Sequence, residues 1–273
     1  MARRWLRLPA RGTALVSTDL HGNGEDFRTL REVFLARRQI DPETYWVLLG
    51  DAVHAPDESA RRRQPELYDF LDESAAIVRG VLELQAAHPG HVHYVLGNHD
   101  YGHVGGPHTH KFHPDEVEHL GSTLDEPGRQ TLRELFAPAL LAVVAPCGAL
   151  LAHGSPDDSL ERLDDLDRID RFPPANHYLA RVLDSFLMSY GQPGEVTARL
   201  LARLSEAGEP LCMVIHGHDR DEAGIFFEGD NQVCPVIFGA PRWQKRYLRL
   251  DLGSRYDGPR DLAEGREVIR LYP

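Results

Sequence analysis

The sequence predicts an α/β protein, layered and carrying a helical insertion. Three observations predict it. Apolar strand-length runs alternate with helix-period segments from residue 13 to 96. The crossovers between those runs are long enough to make the strands parallel. The C-terminal third then breaks into several short apolar runs of strand length. With 273 residues, 42% hydrophobic and 26% charged, the chain can bury a sizeable core. It reads as a single domain over 1–273 with the helical insertion at about 157–207.

Taken in order, Thr13 to Thr18 is a short apolar strand and Glu25 to Arg38 a helix; Tyr45 to Leu49 is the second strand. Pro65 marks a helix start, and no further proline interrupts Glu66 to Ala87. Leu67, Phe70, Leu71, Ile77, Val78, Val81 and Leu82 are spaced there as one helical face. His91 to Leu96 is the third strand, and Tyr101 to Pro114, rich in Gly, Pro and His, is a loop. Asp115 to Phe136 is expected to be one helix and Ala149 to Ala152 a short strand. Leu160–Arg168, Asn176–Tyr190 and Glu195–Ala207 form the insertion, expected beside the main sheet. Leu211 to Ile215 returns to strand, and Ile225–Phe227, Val233–Phe238 and Tyr247–Leu252 are expected as consecutive antiparallel strands.

The net charge of −12 argues against a nucleic-acid polymer as partner, because phosphate backbones need clustered Lys and Arg. A small phosphorylated substrate remains compatible, since bound metal ions reverse the local field. Cys147, Cys212 and Cys234 stand far apart with no Cys-x-x-Cys, which reads as reduced thiols in a reducing compartment. The basic segment Met1 to Gly12 lacks an apolar h-region, and no apolar run approaches the ~20 residues of a membrane span. A cytoplasmic protein without membrane attachment is the expectation.

Each of the first three strands ends in metal-binding residue types: Asp19-Leu20-His21-Gly22-Asn23, Gly50-Asp51, and Gly97-Asn98-His99-Asp100. Two later apolar segments end in His153-Gly154 and His216-Gly217-His218. In an α/β sheet the carboxyl ends of strands converge on one crevice, so five clusters distant in sequence can meet in space. Mixed Asp, His and Asn donors suit manganese, iron or zinc better than an all-oxygen site would. A carboxylate bridging two ions roughly 3.5–4 Å apart brings a water between them to deprotonation near neutral pH, for attack on phosphorus. A nearby acid then protonates the leaving alkoxide.

With these motifs the chain resembles the calcineurin-like metallophosphoesterases, closest to the branch of Ser/Thr protein phosphatases and symmetrical dinucleoside tetraphosphatases. That branch carries Gly-Asp-x-His-Gly, Gly-Asp-x-x-Asp-Arg-Gly and Gly-Asn-His-Glu. Here the counterparts are Thr18-Asp19-Leu20-His21-Gly22, Gly50-Asp51-Ala52-Val53-His54-Ala55 and Gly97-Asn98-His99-Asp100. Ala152-His153-Gly154-Ser155-Pro156, Gly217-His218 and Phe238-Gly239-Ala240-Pro241-Arg242-Trp243 extend the likeness over about residues 13–252. The resemblance implies an α/β/β/α sandwich and a phosphoesterase with two divalent ions, manganese first, iron or zinc as alternatives. It implies that Asp19 and His21 hold one ion, that Asp51 bridges both, and that Asn98, His153 and a late histidine hold the other. His218 is favoured for that last place, with His216 as its rival. His99 matches the leaving-group acid.

Two positions depart from the pattern. The branch orients its catalytic histidine with an Asp and binds phosphate with the Arg beside it; this chain has His54 and Ala55 there. Asp57 or Asp100 is a candidate to orient His99, and Arg242, Arg220 or the Arg61-Arg62-Arg63 run to bind phosphate, with Arg242 preferred. His103, His108, His110 and His113 read as a polar loop at the site entrance, and Trp243 as either a stacking surface or a packed loop residue. The leading function is hydrolysis of phosphate monoesters, on a phosphoprotein or a small ester. Hydrolysis of a nucleotide or dinucleoside polyphosphate is the second reading, motivated by Arg242 and Trp243. A non-catalytic protein-binding scaffold is the third, motivated by the lost Asp-Arg pair.

Overall fold

The computed structural model describes residues 3–273; Met1 and Ala2, at the head of the basic N-terminal segment, lie outside the described residues. In chain order the elements begin β1 (Trp5–Arg7), β2 (Thr13–Ser17), α1 (Gly24–Ile40), β3 (Thr44–Leu48) and α2 (Glu58–Arg63). Next come α3 (Pro65–Tyr68), α4 (Ser74–Ala87), β4 (Val92–Tyr94), α5 (Asn98–Tyr101), α6 (Glu116–Thr123) and α7 (Glu126–Phe136). The second half holds β5 (Ala142–Ala145), β6 (Ala149–Leu151), α8 (His177–Met188), α9 (Gly194–Leu204) and β7 (Met213–Ile215). It closes with β8 (Ile225–Glu228), β9 (Gln232–Pro235), β10 (Arg246–Asp251) and β11 (Val268–Arg270).

One sheet runs β11-β10-β2-β3-β4 and the other β1-β5-β6-β7-β9-β8. As the crossovers require, β2, β3 and β4 are parallel. Side chains alternate across a strand, and here the alternation sorts residues into two cores. Ala14 and Val16 of β2, Tyr45 and Val47 of β3, Val143 and Ala145 of β5, and Met213 and Ile215 of β7 share the core between the sheets. Their neighbours Leu15, Trp46, Val144 and Val214 belong to the core shared with the helices, with Phe27, Leu30 and Phe34 of α1, Ile77 and Val81 of α4, and Leu200 and Leu201 of α9. Strands buried on both faces lose the polar half of their pattern and read as continuous apolar runs. The result is an α/β/β/α arrangement. No helix among the described residues is long and apolar enough to cross a membrane.

Several expected elements are revised. The helix expected over Glu66 to Ala87 is interrupted between Tyr68 and Ser74. Asp72 turns the chain there, accepting from Ser74 N at 2.8 Å, and Glu73 N donates to Gly22 O at 2.9 Å. Asp115 to Phe136 likewise divides, because Asp125 accepts from Gly128 N at 2.9 Å and starts a new helix at the Glu-Pro step. Leu160–Arg168 provides only a 3₁₀ turn at Leu163–Arg168. The last strands are not consecutive in one sheet: β8 and β9 form an antiparallel hairpin, whereas β10 crosses to the other sheet beside β2. There Leu248 and Leu250 close the core between the sheets. The strands β1, β5 and β11 were not expected at all. The helices of residues 157–207 cover the outer face of the second sheet, with α9 packed on β7.

Arg4 ties that layer to the rest. It is 2% exposed, and its Nε donates to Ile169 O at 2.9 Å. Its Nη1 donates to Ala137 O at 2.7 Å and Ala139 O at 2.9 Å. Leaving a buried acceptor unsatisfied costs ~1–3 kcal/mol, so Arg4→Met is expected to destabilise the fold by about 3 kcal/mol or more. Urea unfolding measures this, and a loss below about 1 kcal/mol contradicts the role given to Arg4.

Candidate active site

Where the first three parallel strands end, the chain turns sharply, and the turns are bound to one another. Leu20 N and His21 N donate to Asp51 O at 2.9 and 2.8 Å, and Gly22 N donates to Ala52 O at 2.9 Å. Among the described residues, those other than glycine with positive φ are Asp19 (38°), His21 (42°), Asp51 (52°), His54 (73°) and His218 (67°). All five belong to the site. Asp and His tolerate this region better than most residues, but each such residue costs of order 1–3 kcal/mol. Backbone strain gathered at one point marks it as functional rather than merely folded.

Asp100, fully buried, holds these turns. Its carboxylate accepts from Asp51 N at 2.8 Å, Ala52 N at 3.1 Å, Gly97 N at 2.9 Å and Tyr94 OH at 2.8 Å. Asp57 caps α2 through Ala60 N at 2.6 Å. Neither is bonded to His99. The carboxylate beside His99 is instead Glu116, at the start of α6, with Oε2 3.3 Å from His99 Nδ1. Nothing in the sequence marks Glu116, because only the course of the 102–115 loop brings it there. His54 Nδ1 also lies 3.0 Å from His99 Nδ1, and His54 Nε2 is 2.9 Å from His103 Nε2.

The structure gathers Asp19, His21, Asp51, Asn98, His99, His153 and His218 around one point. Asp51 Oδ2 is 3.6 Å from His21 Nε2 and 3.6 Å from His153 Nε2, and Asp51 Oδ1 accepts from His99 N at 2.9 Å. Donor atoms of His21, Asp51 and His99 lie close enough for one ion, and so do those of Asp51, His153 and His218. Asp51 is common to both groups. His216 is in neither: its Nδ1 faces Gly217 O at 2.9 Å and its buried Nε2 has no partner.

Charge and tautomer test whether these residues fit a metal. His21 Nδ1 is paired with His54 O at 3.2 Å, and burial, followed by the Lys111 ammonium, holds this ring well below its usual pKa. The neutral ring therefore turns the lone pair of Nε2 toward Asp51 and Asp19, the latter at 3.9 Å. His153 has Nδ1 2.6 Å from Leu49 O and Nε2 3.0 Å from Asn98 Oδ1; burial works against its charge, but the Asp51 and Asp19 carboxylates outweigh it and raise its pKa. His218 Nδ1 meets the same Asn98 oxygen at 2.9 Å, and burial, then His153, holds its pKa down to about 3. Burial pushes Asp19 up to about 6, partly offset by His153. Burial works against a charged Asp51 too, but His153, His99 and His218 outweigh it and lower its pKa. Two carboxylates, the Asn98 oxygen and the ring nitrogens of His21 and His218 thus face one centre, where a cation takes the place of the proton that the carboxylates favour on His153. The donor set fits divalent metal ions.

Above this centre lies a cavity of about 300 Å³, lined in part by Asp51, His99, Thr109, Lys111, Tyr190 and Arg220. Lys111 is exposed as a whole residue, yet protein surrounds its ammonium end. Burial, then the Arg220 guanidinium, lowers its pKa to about 8. Arg220 donates to Tyr68 OH at 3.3 Å, with its stem against Gly239, where a Cβ would come within 2.9 Å of it. Arg242 stands elsewhere: Nη1 is 2.7 Å from Glu25 Oε1 and its guanidinium lies 3.5 Å above the Tyr272 ring. Trp243 is exposed and outside the cavity, and the Arg61-Arg62-Arg63 run sits on α2. Lys111 escapes sequence reading because it belongs to the histidine-rich loop expected only to border the entrance. A larger open depression of about 1020 Å³ lies at the opposite end of β2, where Arg255 and Arg266 are paired with Asp257 and Glu267.

Gly97 and Gly217 leave room for the carboxylates. A Cβ on Gly97 would fall 2.2 Å from Asp51 Oδ1, and one on Gly217 2.5 Å from Asp19 Oδ2. Gly97→Ala is expected to displace Asp51 and to lower bound metal at least ~10-fold while leaving the circular dichroism spectrum unchanged. Wild-type metal content in this variant contradicts the geometry given to Asp51.

Residues 12–222 match the family described as calcineurin-like phosphoesterase. No curated protein matches the sequence at a significant level. Among solved structures, a protein serine/threonine phosphatase from Saccharomyces cerevisiae with similarity to human phosphatase PP5 superposes with a TM-score of 0.62. It is 17% identical, over 90% of this chain and 76% of that one. The cold-active protein-tyrosine phosphatase of a psychrophile, Shewanella sp., superposes with a TM-score of 0.59 at 14% identity, over 91% and 77%. At these identities the likeness is one of fold. The family match covers most of the chain: the protein belongs to the calcineurin-like phosphoesterases, a class of hydrolases.

Proposed function

We propose that the protein hydrolyses phosphate monoesters with two divalent metal ions, manganese in the first instance. The observation that carries the reading is the position of Asp51, common to two ligand groups. Asp19 and His21 join Asp51 at one ion; Asn98, His153 and His218 join it at the other. When bound, the ions supply Lewis acidity toward the phosphoryl oxygens and activation of a water molecule. Lys111 and Arg220 line the cavity with positive charge and bind the phosphoryl oxygens. His99, held through its main chain by Asp51 and with Nδ1 toward His54 and Glu116, keeps Nε2 for the cavity and gives a proton to the leaving oxygen.

The cavity holds about 300 Å³, room for the phosphoryl end of a phosphorylated side chain or for a small ester. The likeness of fold to protein phosphatases supports that substrate class. The reading in favour of nucleotides or dinucleoside polyphosphates rested on Arg242 and Trp243, and both stand outside the cavity.

Turnover of para-nitrophenyl phosphate and of a phosphopeptide with added Mn²⁺ tests the proposal; cleavage of phosphoanhydrides alone would overturn it. His99→Ala is expected to lose ~10²–10⁴-fold on an alkyl phosphate and far less on para-nitrophenyl phosphate, whose leaving group needs no proton. An equal loss on both sinks the assignment of His99. The KM for a phosphate monoester is expected to rise as pH passes about 8, where Lys111 loses its charge. In Lys111→Met that rise is absent and KM is high throughout. An unaltered profile in the variant contradicts the clamp.

A further inference from the structure

Beside the two ligand groups that share Asp51 lies a third cluster, formed by His54, Thr109 and Glu116 with the far side of His99. His54 Nδ1 and His99 Nδ1 are 3.0 Å apart. Thr109 Oγ1 is 3.3 Å from each of them. Glu116 Oε2 is 3.3 Å from His99 Nδ1 and 3.9 Å from His54 Nδ1. Donor atoms of His54, His99 and Glu116 lie close enough for one ion, and Thr109 Oγ1 stands beside the two ring nitrogens as a fourth. A regular tetrahedron with edges of about 3.3 Å has its centre about 2.0 Å from each corner, the length of a zinc bond to nitrogen or oxygen.

Hydrogen bonding leaves one atom of this cluster without a partner. Glu116 is 1% exposed, and Oε2 makes no hydrogen bond although His99 Nδ1 is near. The two δ nitrogens share one proton in neutral rings, which a cation between them can displace. The atoms on the outer side are in contrast fully engaged. Glu116 Oε1 accepts from Phe112 N at 3.1 Å, and His54 Nε2 is 2.9 Å from His103 Nε2. A ligating histidine characteristically donates its second ring N–H in this way, which fixes the nitrogen that faces the ion.

We infer that His54, His99 and Glu116, with the Thr109 hydroxyl at the fourth corner, form a third metal site for a tetrahedral borderline cation of the zinc class. The site takes the place of the carboxylate partner missing from the Gly50-Asp51-Ala52-Val53-His54 turn. An ion at Nδ1 of His99 leaves that ring one proton, on Nε2, the nitrogen free for the cavity. This consequence for turnover rests on the role proposed above for His99; the ion count does not.

The test is the zinc content of the full-length protein, stripped with chelator, reloaded with Zn²⁺ and freed of unbound metal before elemental analysis. About three ions per chain are expected for the wild type and about two for Glu116→Gln, an isosteric change that removes the anionic ligand. Asp51→Asn removes the shared ligand and is expected to retain about one, at the third site. Thermal unfolding of each variant checks that it is folded. If Glu116→Gln does not fold, His54→Asn serves, since Asn tolerates the positive φ at this position. A folded variant of either kind with the wild-type zinc content overturns the third site. An unchanged content in Asp51→Asn instead overturns the paired centre and leaves the third site standing.

Discussion

The main-chain carbonyl of Asp51 accepts the amides of Leu20 and His21, its own amide is held by Asp100, and its carboxylate lies between His21, His153 and the amide of His99. One residue therefore fixes the turn after β2, the turn after β3 and the start of α5 together. The left-handed backbone at Asp19, His21 and Asp51 is the cost of pointing short side chains at a common centre. The hydrogen bonds of Asp100 keep that conformation from relaxing. Gly50 and Gly97 are needed because the two turns nearly touch: a Cβ on Gly50 would lie 2.6 Å from Gly97 N.

The two sheets set the distances. Asp19, Asp51 and Asn98 follow strands of one sheet, while His153 and His218 follow β6 and β7 of the other. The ligand set is complete only when the core between the sheets is packed, with Ala14, Val16, Val47 and Ile215 buried in it. Stability of that core and assembly of the centre are thus one event. The metal-free chain opposes charge at Asp19, whose pKa burial raises to about 6, while the surrounding histidines keep Asp51 charged. Metal binding reverses that penalty and couples ion affinity to folding.

The strand-end residues were legible because each stands where an apolar run stops, and strand ends of a parallel sheet share one crevice. The helices were legible where one face carried the pattern, as in α1 and α4. The breaks after Tyr68 and Thr123 were not, since Asp72 makes a turn and Asp125 a cap inside stretches of otherwise helical composition. The move of β10 to the first sheet depends on an edge of β2 lying open to it, which no local pattern announces. Glu116, Thr109 and Lys111 escaped for a related reason. They reach the site on a loop and a helix start whose residue types are ordinary, and their meaning comes only from what the fold sets beside them. Arg242 shows the converse: a suggestive position in the sequence proved to be a side chain already paired with Glu25 and stacked on Tyr272.

Anomalous diffraction from crystals of the protein grown with Mn²⁺ tests the central claim most directly. Two peaks about 3.5–4 Å apart are expected with the Asp51 carboxylate between them, one beside Asp19 and His21 and the other beside Asn98, His153 and His218. A single peak away from Asp51, or none at all at saturating Mn²⁺, would contradict it.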